Sequence, residues 1–290
     1  MYSYAASIPG KAFLRPEWRQ AVEKAEMKRI ELTVSSEKDP DFPEIFRTVR
    51  SMAENGAIKV ASIHLPFGGD VWPDCSSEDE TARKEWVLRF RRFLDLTAEA
   101  GAPLYTLHGS AEPIRPENRC GKLRALRRTL EEIVPELEKR DRTVNLEMLP
   151  RTCLGNCPEE LEQAVDGLPA CIGLNLDVNH LCGKPEQVPE LIPRFGKRLR
   201  ALHLSDYDGV DECHWYPGFG VLNWGGIIRS IRGLTQDVLL IFECFGFLNV
   251  PSFQNRSFDP SVFFENMKRN AFFVENAEEW EKRRETFVIP

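Results

Sequence analysis

Short apolar runs rich in β-branched residues alternate along this chain with longer amphipathic stretches. The strand-like runs are 2–8 (YSYAASI), 28–34 (KRIELTV), 57–64 (AIKVASIH), 103–108 (PLYTLH), 143–148 (TVNLEM), 171–178 (CIGLNLDV), 199–205 (LRALHLS) and 238–243 (VLLIFE). Runs of this length bounded by turn formers predict buried strands. Between them lie helical patterns. One begins with Pro16 near its first turn, a second ends at Gly56, and a third opens on Ser and Asp caps and closes at Gly101. In the third, Trp86, Phe90, Phe93 and Leu94 recur at helical spacing, which reads as a stripe facing the core.

Eight strands, each followed by a helix-length connection, predict an α/β chain folded as a (β/α)8 TIM barrel. Dividing 290 residues by eight strands gives about 36 per unit, an ordinary βα repeat. A doubly wound open sheet would usually carry a Gly-rich phosphate turn after the first strand, and Ser7-Ile8-Pro9-Gly10 is not one. No linker, low-complexity run or composition break divides the chain, so residues 1–290 read as a single domain.

Composition narrows the function classes. With 42% hydrophobic and 29% charged residues the chain is not a disordered one. Its net charge of −7 argues against nucleic acid as the main partner. Residues 83–142 run the other way, with 14 Lys+Arg against 10 Asp+Glu. As an outer-ring helix that stretch would be solvated or used for subunit contact, which is compatible with a homo-oligomer. The start has no basic n-region followed by an apolar run, and no apolar run is long enough to span a membrane. Eight cysteines are too sparse for a disulfide scaffold, and the closest pair, Cys153 and Cys157, has no second pair to complete a zinc knuckle. Free thiols in a cytoplasmic protein are the expectation.

The polar residues that matter are those at strand ends. His64, His108 and His203 close their strands, and His180 follows the strand that ends in Asp177. Glu147 and Glu243 occupy the matching place on two others. The strand C-termini of a closed parallel barrel converge on one face, so these groups surround one cavity. Carboxylates and imidazoles crowded there carry a large desolvation cost unless they hold a cation. A metal site is therefore expected.

The runs NLDVNH (175–180), LHLSDYDG (202–209) and HWYPGFGVLNW (214–224) resemble the xylose isomerase-like TIM-barrel superfamily, which includes sugar isomerases and epimerases, inosose dehydratases and endonuclease IV enzymes. The last run is similar to the H-x-x-P-G-x-G-x-x-x-W segment of the sugar-phosphate isomerase/epimerase branch. The resemblance implies that Glu147, Asp177, His203 and Glu243 ligate one divalent metal, and that His64, His108, His180 and His214 line the substrate side. Three carboxylates and one imidazole suit Mn²⁺ first, with Co²⁺, Mg²⁺ or Zn²⁺ as alternatives. It further implies a small-molecule carbohydrate substrate, with Glu147 and Glu243 as the acid/base pair. They would move a proton α to a carbonyl through an enediolate. A lyase or dehydratase acting on a keto-sugar or inosose would begin with the same step.

Loop residues complete the expected walls. Arg151, Trp72 and Trp215 are candidates for substrate contact, as are Phe67, Phe245 and Phe247. Gly218 and Gly220 are expected to form a tight turn that brings backbone close to the ligand. Two positions depart from the ketose 3-epimerase pattern. Gly209 stands where those enzymes usually have an arginine, and Cys153 where they have a glutamate. The alternative is a zinc-dependent AP endonuclease of the endonuclease IV type. There His64, His108 and Glu147 would hold one metal and Glu147 would bridge to the four-residue set. A third metal would need His180 plus a D-x-H pair. Asp211 to His214 is spaced D-x-x-H, and only Glu212 lies two before the histidine.

Overall fold

The computed structural model describes residues 2–68, 72–244 and 259–282. Its eight strands are β1 (Ser3–Pro9), β2 (Arg29–Thr33), β3 (Lys59–His64), β4 (Leu104–Leu107), β5 (Thr143–Glu147), β6 (Ile172–Asp177), β7 (Leu199–Leu204) and β8 (Leu239–Phe242). All pair in parallel with their sequence neighbours, and β8 pairs with β1, closing the barrel in the order β1 to β8. Each strand overlaps the run expected to form it.

Helices α1 (Pro16–Lys24), α2 (Phe42–Glu54), α3 (Glu80–Thr97), α4 (Arg119–Arg140), α5 (Pro158–Val165), α6 (Val188–Phe195), α7 (Trp224–Arg232), α8 (Pro260–Glu275) and α9 (Ala277–Lys282) fill the connections and the C-terminal end. Their ends follow local chemistry. Asp79 caps α3 by accepting from the Thr81 and Ala82 amides, while Gly56 and Gly101 adopt the left-handed backbone that stops α2 and the turn after α3. The α3 stripe of Trp86, Phe90, Phe93 and Leu94 is fully buried against the barrel, as its spacing requires. The basic stretch is engaged by neighbouring helices. Arg119 binds Glu160 of α5, Arg128 reaches Glu80 of α3, and Arg140 pairs with Asp95 and Glu136. Among the described residues no helix is long and apolar enough to cross a membrane.

Inside the barrel the side chains are layered. Ala5, Ala61, Ala201 and Ile241 make a small apolar cluster of their own near the strand starts. Towards the strand ends the interior turns polar, because register places Ser7 beside Glu31, Glu31 beside Ser62, Glu147 beside Asn175 and Asp177 beside His203. Register partners in a sheet point to the same face. Irregular steps opposite Ile30/Glu31 and Leu174/Asn175 re-phase β3 and β7, the strands that carry His64 and His203.

Candidate metal centre and cavity

Six strand ends deliver the predicted groups to one place. Glu147, Asp177 and His203 are completely buried there, and Glu243 is 9% exposed. One donor atom from each lies within 4.8 Å of every other. An ion with metal–donor distances of about 2.0–2.4 Å keeps its donors within roughly that span. His203 Nδ1 is 2.9 Å from Glu147 Oε1, 2.7 Å from Glu243 Oε2 and 3.8 Å from Asp177 Oδ2. Yet Nδ1 of His203, Oε2 of Glu147 and Oδ2 of Asp177 are buried without a well-directed hydrogen bond. Buried polar atoms that converge without bonding one another are costly, and a cation among them would satisfy all of them. The four residues fit a divalent ion.

The imidazoles are set by what their other nitrogen meets. Nδ1 of His64 contacts the Leu65 carbonyl (3.0 Å), Nδ1 of His180 the Met148 carbonyl (2.8 Å), and Nδ1 of His214 the Glu243 carbonyl (3.1 Å). A carbonyl only accepts, so Nδ1 donates in each and Nε2 is presented to the cavity. Nε2 of His64 and of His108 lie 3.3 and 3.1 Å from Glu147 Oε2. His203 is oriented the other way, with Nδ1 towards the ligand set.

Charge is concentrated here. Burial pushes His64 down, but Glu147, with Glu31 and Glu243 behind it, lifts it to about 9. Burial also opposes charge on His180, and Asp177 and Glu212 raise it to about 10. Burial raises Asp177 to about 6 against the pull of His180 and His214. Burial dominates at His108 and lowers it despite its contact with Glu147. The carboxylates recruit whatever positive charge is near, as a cation site must.

Above the centre is a cavity of about 480 Å³, lined by His64, His108, His180, His214, Glu147, Glu243, Glu212, Arg151, Phe67 and Glu112 among others. That volume suits a small ligand. Phe67, 51% exposed, stacks on His108 with ring centroids 4.2 Å apart. Arg151 reaches the rim with a left-handed backbone (φ 49°) and is held by Glu112 (2.6 Å), Asp211 (2.9 Å) and Glu212 (2.7 Å).

Three expectations about the walls need correction. Trp72 is only 2% exposed, packed edge-on to Phe93 with the Arg89 guanidinium 4.4 Å above it, so it belongs to the core under the loop. Trp215 exchanges backbone hydrogen bonds with Asp206 (2.8 Å each), and neither tryptophan is among the described residues that line the cavity. The glycine turn wraps a protein carboxylate instead of a ligand. Asp206 accepts from the amides of Tyr207, Gly218 and Leu222 and from Trp224 Nε1, and a Cβ on Gly220 would lie 2.1 Å from the Tyr207 carbonyl. Phe245 and Phe247 lie outside the described residues.

Two carboxylates matter more here than their sequence context suggests. Glu31 is fully buried beside His203, and its only signal in the sequence is an acid between two apolar residues in mid-strand. Glu212 is the other. Its Oε2 is 3.0 Å from His180 Nε2 and 3.8 Å from His214 Nε2, while Asp211 turns to Arg151 and Cys182. The hydrogen bond to His180, then that to His214, holds Glu212 far below the usual carboxylate range. The D-x-x-H spacing is thus not the relevant one, because the acid that faces the histidines is the one two residues before His214.

Residues 20–256 match the family described as xylose isomerase-like TIM barrel. An uncharacterised protein of Methanocaldococcus jannaschii, MJ1311, is 26% identical over 187 residues, covering 62% of this chain and 63% of that protein's length. Among solved structures, a D-psicose 3-epimerase determined in the presence of D-fructose superposes with a TM-score of 0.72 at 16% identity, covering 95% of this chain and 99% of its own. A protein of Thermus thermophilus, TTHB071, soaked with ZnCl2, gives 0.63 at 23% identity, with 93% and 98% covered. At these identities the likeness to solved structures is one of fold.

Proposed function

The chain belongs to the xylose isomerase-like TIM-barrel family, and from that premise we propose that it is a divalent-metal-dependent sugar isomerase or epimerase. The observation that carries this reading is the pair of carboxylates from β5 and the end of β8. Glu147 and Glu243 reach the same imidazole nitrogen of His203, and both line a cavity with room for a small ligand such as a sugar. The fold likeness to a D-psicose 3-epimerase supports it.

Glu147, Asp177, His203 and Glu243 would hold the cation, with Mn²⁺ the first candidate among oxygen-preferring ions. When bound, it supplies Lewis-acid polarisation of a carbonyl and stabilises negative charge on the neighbouring oxygen. The chain's own residues do the rest. One glutamate removes the proton α to the carbonyl and the other returns a proton, so that the face of delivery decides the product. His64 and His108 on one wall, with His180 and His214 on the other, orient the hydroxyls through their Nε2 atoms. Three carboxylates around Arg151 leave the rim acidic, which favours an unphosphorylated keto-sugar.

The test is solvent exchange. Incubated in D₂O with Mn²⁺ and a ketose panel, the protein should wash out one C–H signal of its substrate by NMR. Glu147→Gln and Glu243→Gln should each slow this by at least about 100-fold. Exchange that survives in both variants would refute the assignment.

A second reading is a zinc-dependent phosphodiesterase of the endonuclease IV type, favoured by the seat of Glu212 between His180 and His214. His64, His108 and Glu147 also form a donor cluster, as do Asp177, His180 and His214. In that reading Glu147 and the histidines would hold more than one ion, so metal stoichiometry separates the two.

A further inference from the structure

The ligand set leaves one fully buried carboxylate of the site without a role. Glu31 stands in β2, two strands away from β8 and far from any solvent. A lone buried carboxylate costs several kcal/mol unless donors surround it, and here they do. Ser7 donates to Oε1 (3.2 Å), Thr106 donates to Oε2 (2.9 Å), and Ser7 is itself 3.1 Å from the Thr33 hydroxyl. The remaining partner is His203, whose Nε2 lies 3.2 Å from Oε1 and 3.4 Å from Oε2. Carboxylates stand at both ring nitrogens, and with a cation on the Nδ1 side the ring's hydrogen sits on Nε2, where Glu31 accepts it. That leaves Nδ1, on the opposite side of the ring, as the atom facing Glu147, Asp177 and Glu243.

We propose that Glu31 is a positioning residue that locks the ring orientation and tautomer of His203, and thereby sets the divalent-cation affinity of the four-residue seat. The proposal rests on the metal reading of the site given above. His64, His180 and His214 are each fixed by a neutral backbone carbonyl at the nitrogen that faces away from the cavity. His203 differs from these three in having a carboxylate at its far nitrogen. A carboxylate behind a ligating imidazole raises its basicity and fixes its direction. Ser7 and Thr106 hold the carboxylate in turn, so the chain of contacts runs from β1 and β4 through β2 to β7.

The test uses the full chain, Mn²⁺ alone for affinity by calorimetry, and the imidazole ¹⁵N–¹H spectrum of the Mg²⁺- or Zn²⁺-loaded protein. Glu31→Gln keeps one acceptor oxygen but removes the charge, so it should weaken Mn²⁺ by about 10–100-fold and move the slowly exchanging Nε2–H resonance of His203 upfield. Thr106→Val, which leaves Glu31 in place but frees one oxygen, should weaken Mn²⁺ by less and keep the resonance. It also serves if Glu31→Gln fails to fold. A merely structural Glu31 would move the unfolding midpoint and leave the affinity of the folded protein intact, and that result overturns the proposal alone. A wild-type protein that binds no divalent ion overturns the metal reading and the proposal with it.

Discussion

The Glu212 carboxylate lies 3.0 Å from Nε2 of His180, close enough to accept its hydrogen or to share a cation with it. This contact makes the number of ions per chain the measurement that separates the two enzyme classes. In the isomerase reading Glu212 is a hydrogen-bond partner that orients His180 towards substrate. Elemental analysis of the purified protein should then find about one divalent ion per chain, and Glu212→Gln should retain it. About three zinc ions per chain, with one lost in Glu212→Gln and with cleavage of abasic DNA, would reverse the preference.

The same logic assigns the histidines. His203 offers its Nδ1 to three carboxylates, whereas the ion pairs of His64 and His108 among the described residues are with Glu147 Oε2. His203→Ala should abolish tight divalent binding. His64→Ala and His108→Ala should keep the ion and lose turnover, read by calorimetry beside the exchange assay. If either of those two variants loses an ion, its histidine is a ligand and the cavity holds more than one.

The barrel and its ligand set are legible in the sequence for one reason. Apolar strands ending on His or an acid are rare enough that six of them in one chain point to a single mouth. What is not legible depends on partners remote in sequence. Glu31 reads as a polar interruption of a strand until His203, 172 positions away, is placed behind it. Asp211 and Glu212 are equivalent neighbours until the loop turns one towards Cys182 and the other towards His180. Trp72 looks like a cavity aromatic because it follows a strand end. Its burial is decided by Phe93 and Arg89 on α3.

Asp206 illustrates how a motif can be structural. Its carboxylate is buried and gathers three backbone amides and the Trp224 indole, so the loop from Tyr207 to Leu222 is organised around it. Asp206→Ala would leave those donors unsatisfied, at about 1–3 kcal/mol each where no water replaces the acceptor. A loss of about 3–5 kcal/mol and a fall in Tm of about 10 °C are expected by calorimetry. Asp206→Asn keeps one acceptor oxygen and should lose less. Unchanged stability in Asp206→Ala would show that the loop holds its shape without the carboxylate.

The loop after β3 brings Phe67 to His108, and its anchor lies further back. Arg89 of α3 sits over Trp72 and makes two hydrogen bonds to Glu37, at 2.7 and 2.9 Å. Burial raises the Glu37 carboxyl, but the hydrogen bonds from Arg89 and from its own backbone outweigh this and hold it below its ordinary value. A carboxylate depressed on folding adds stability above its unfolded pKa of about 4.3, and that stability is lost as pH falls through the lower folded value. Urea unfolding should therefore find Glu37→Gln less stable than wild type by about 1–2 kcal/mol at pH 7 and at pH 5.5. The gap should narrow below about pH 4 as the wild-type carboxylate takes up its proton. The catalytic consequence is separate from the stability one. Glu37→Gln weakens one of the holds on Arg89, whose guanidinium lies over Trp72. Trp72 is tied to the Phe67 wall through its amide hydrogen bond to the Gly68 carbonyl, while Glu147 and Glu243 stay where they are. KM should rise in Glu37→Gln with kcat nearly unchanged, since the lost contact positions substrate and touches no reacting atom. An equal fall in kcat and kcat/KM would instead tie this clamp to the proton-transfer step.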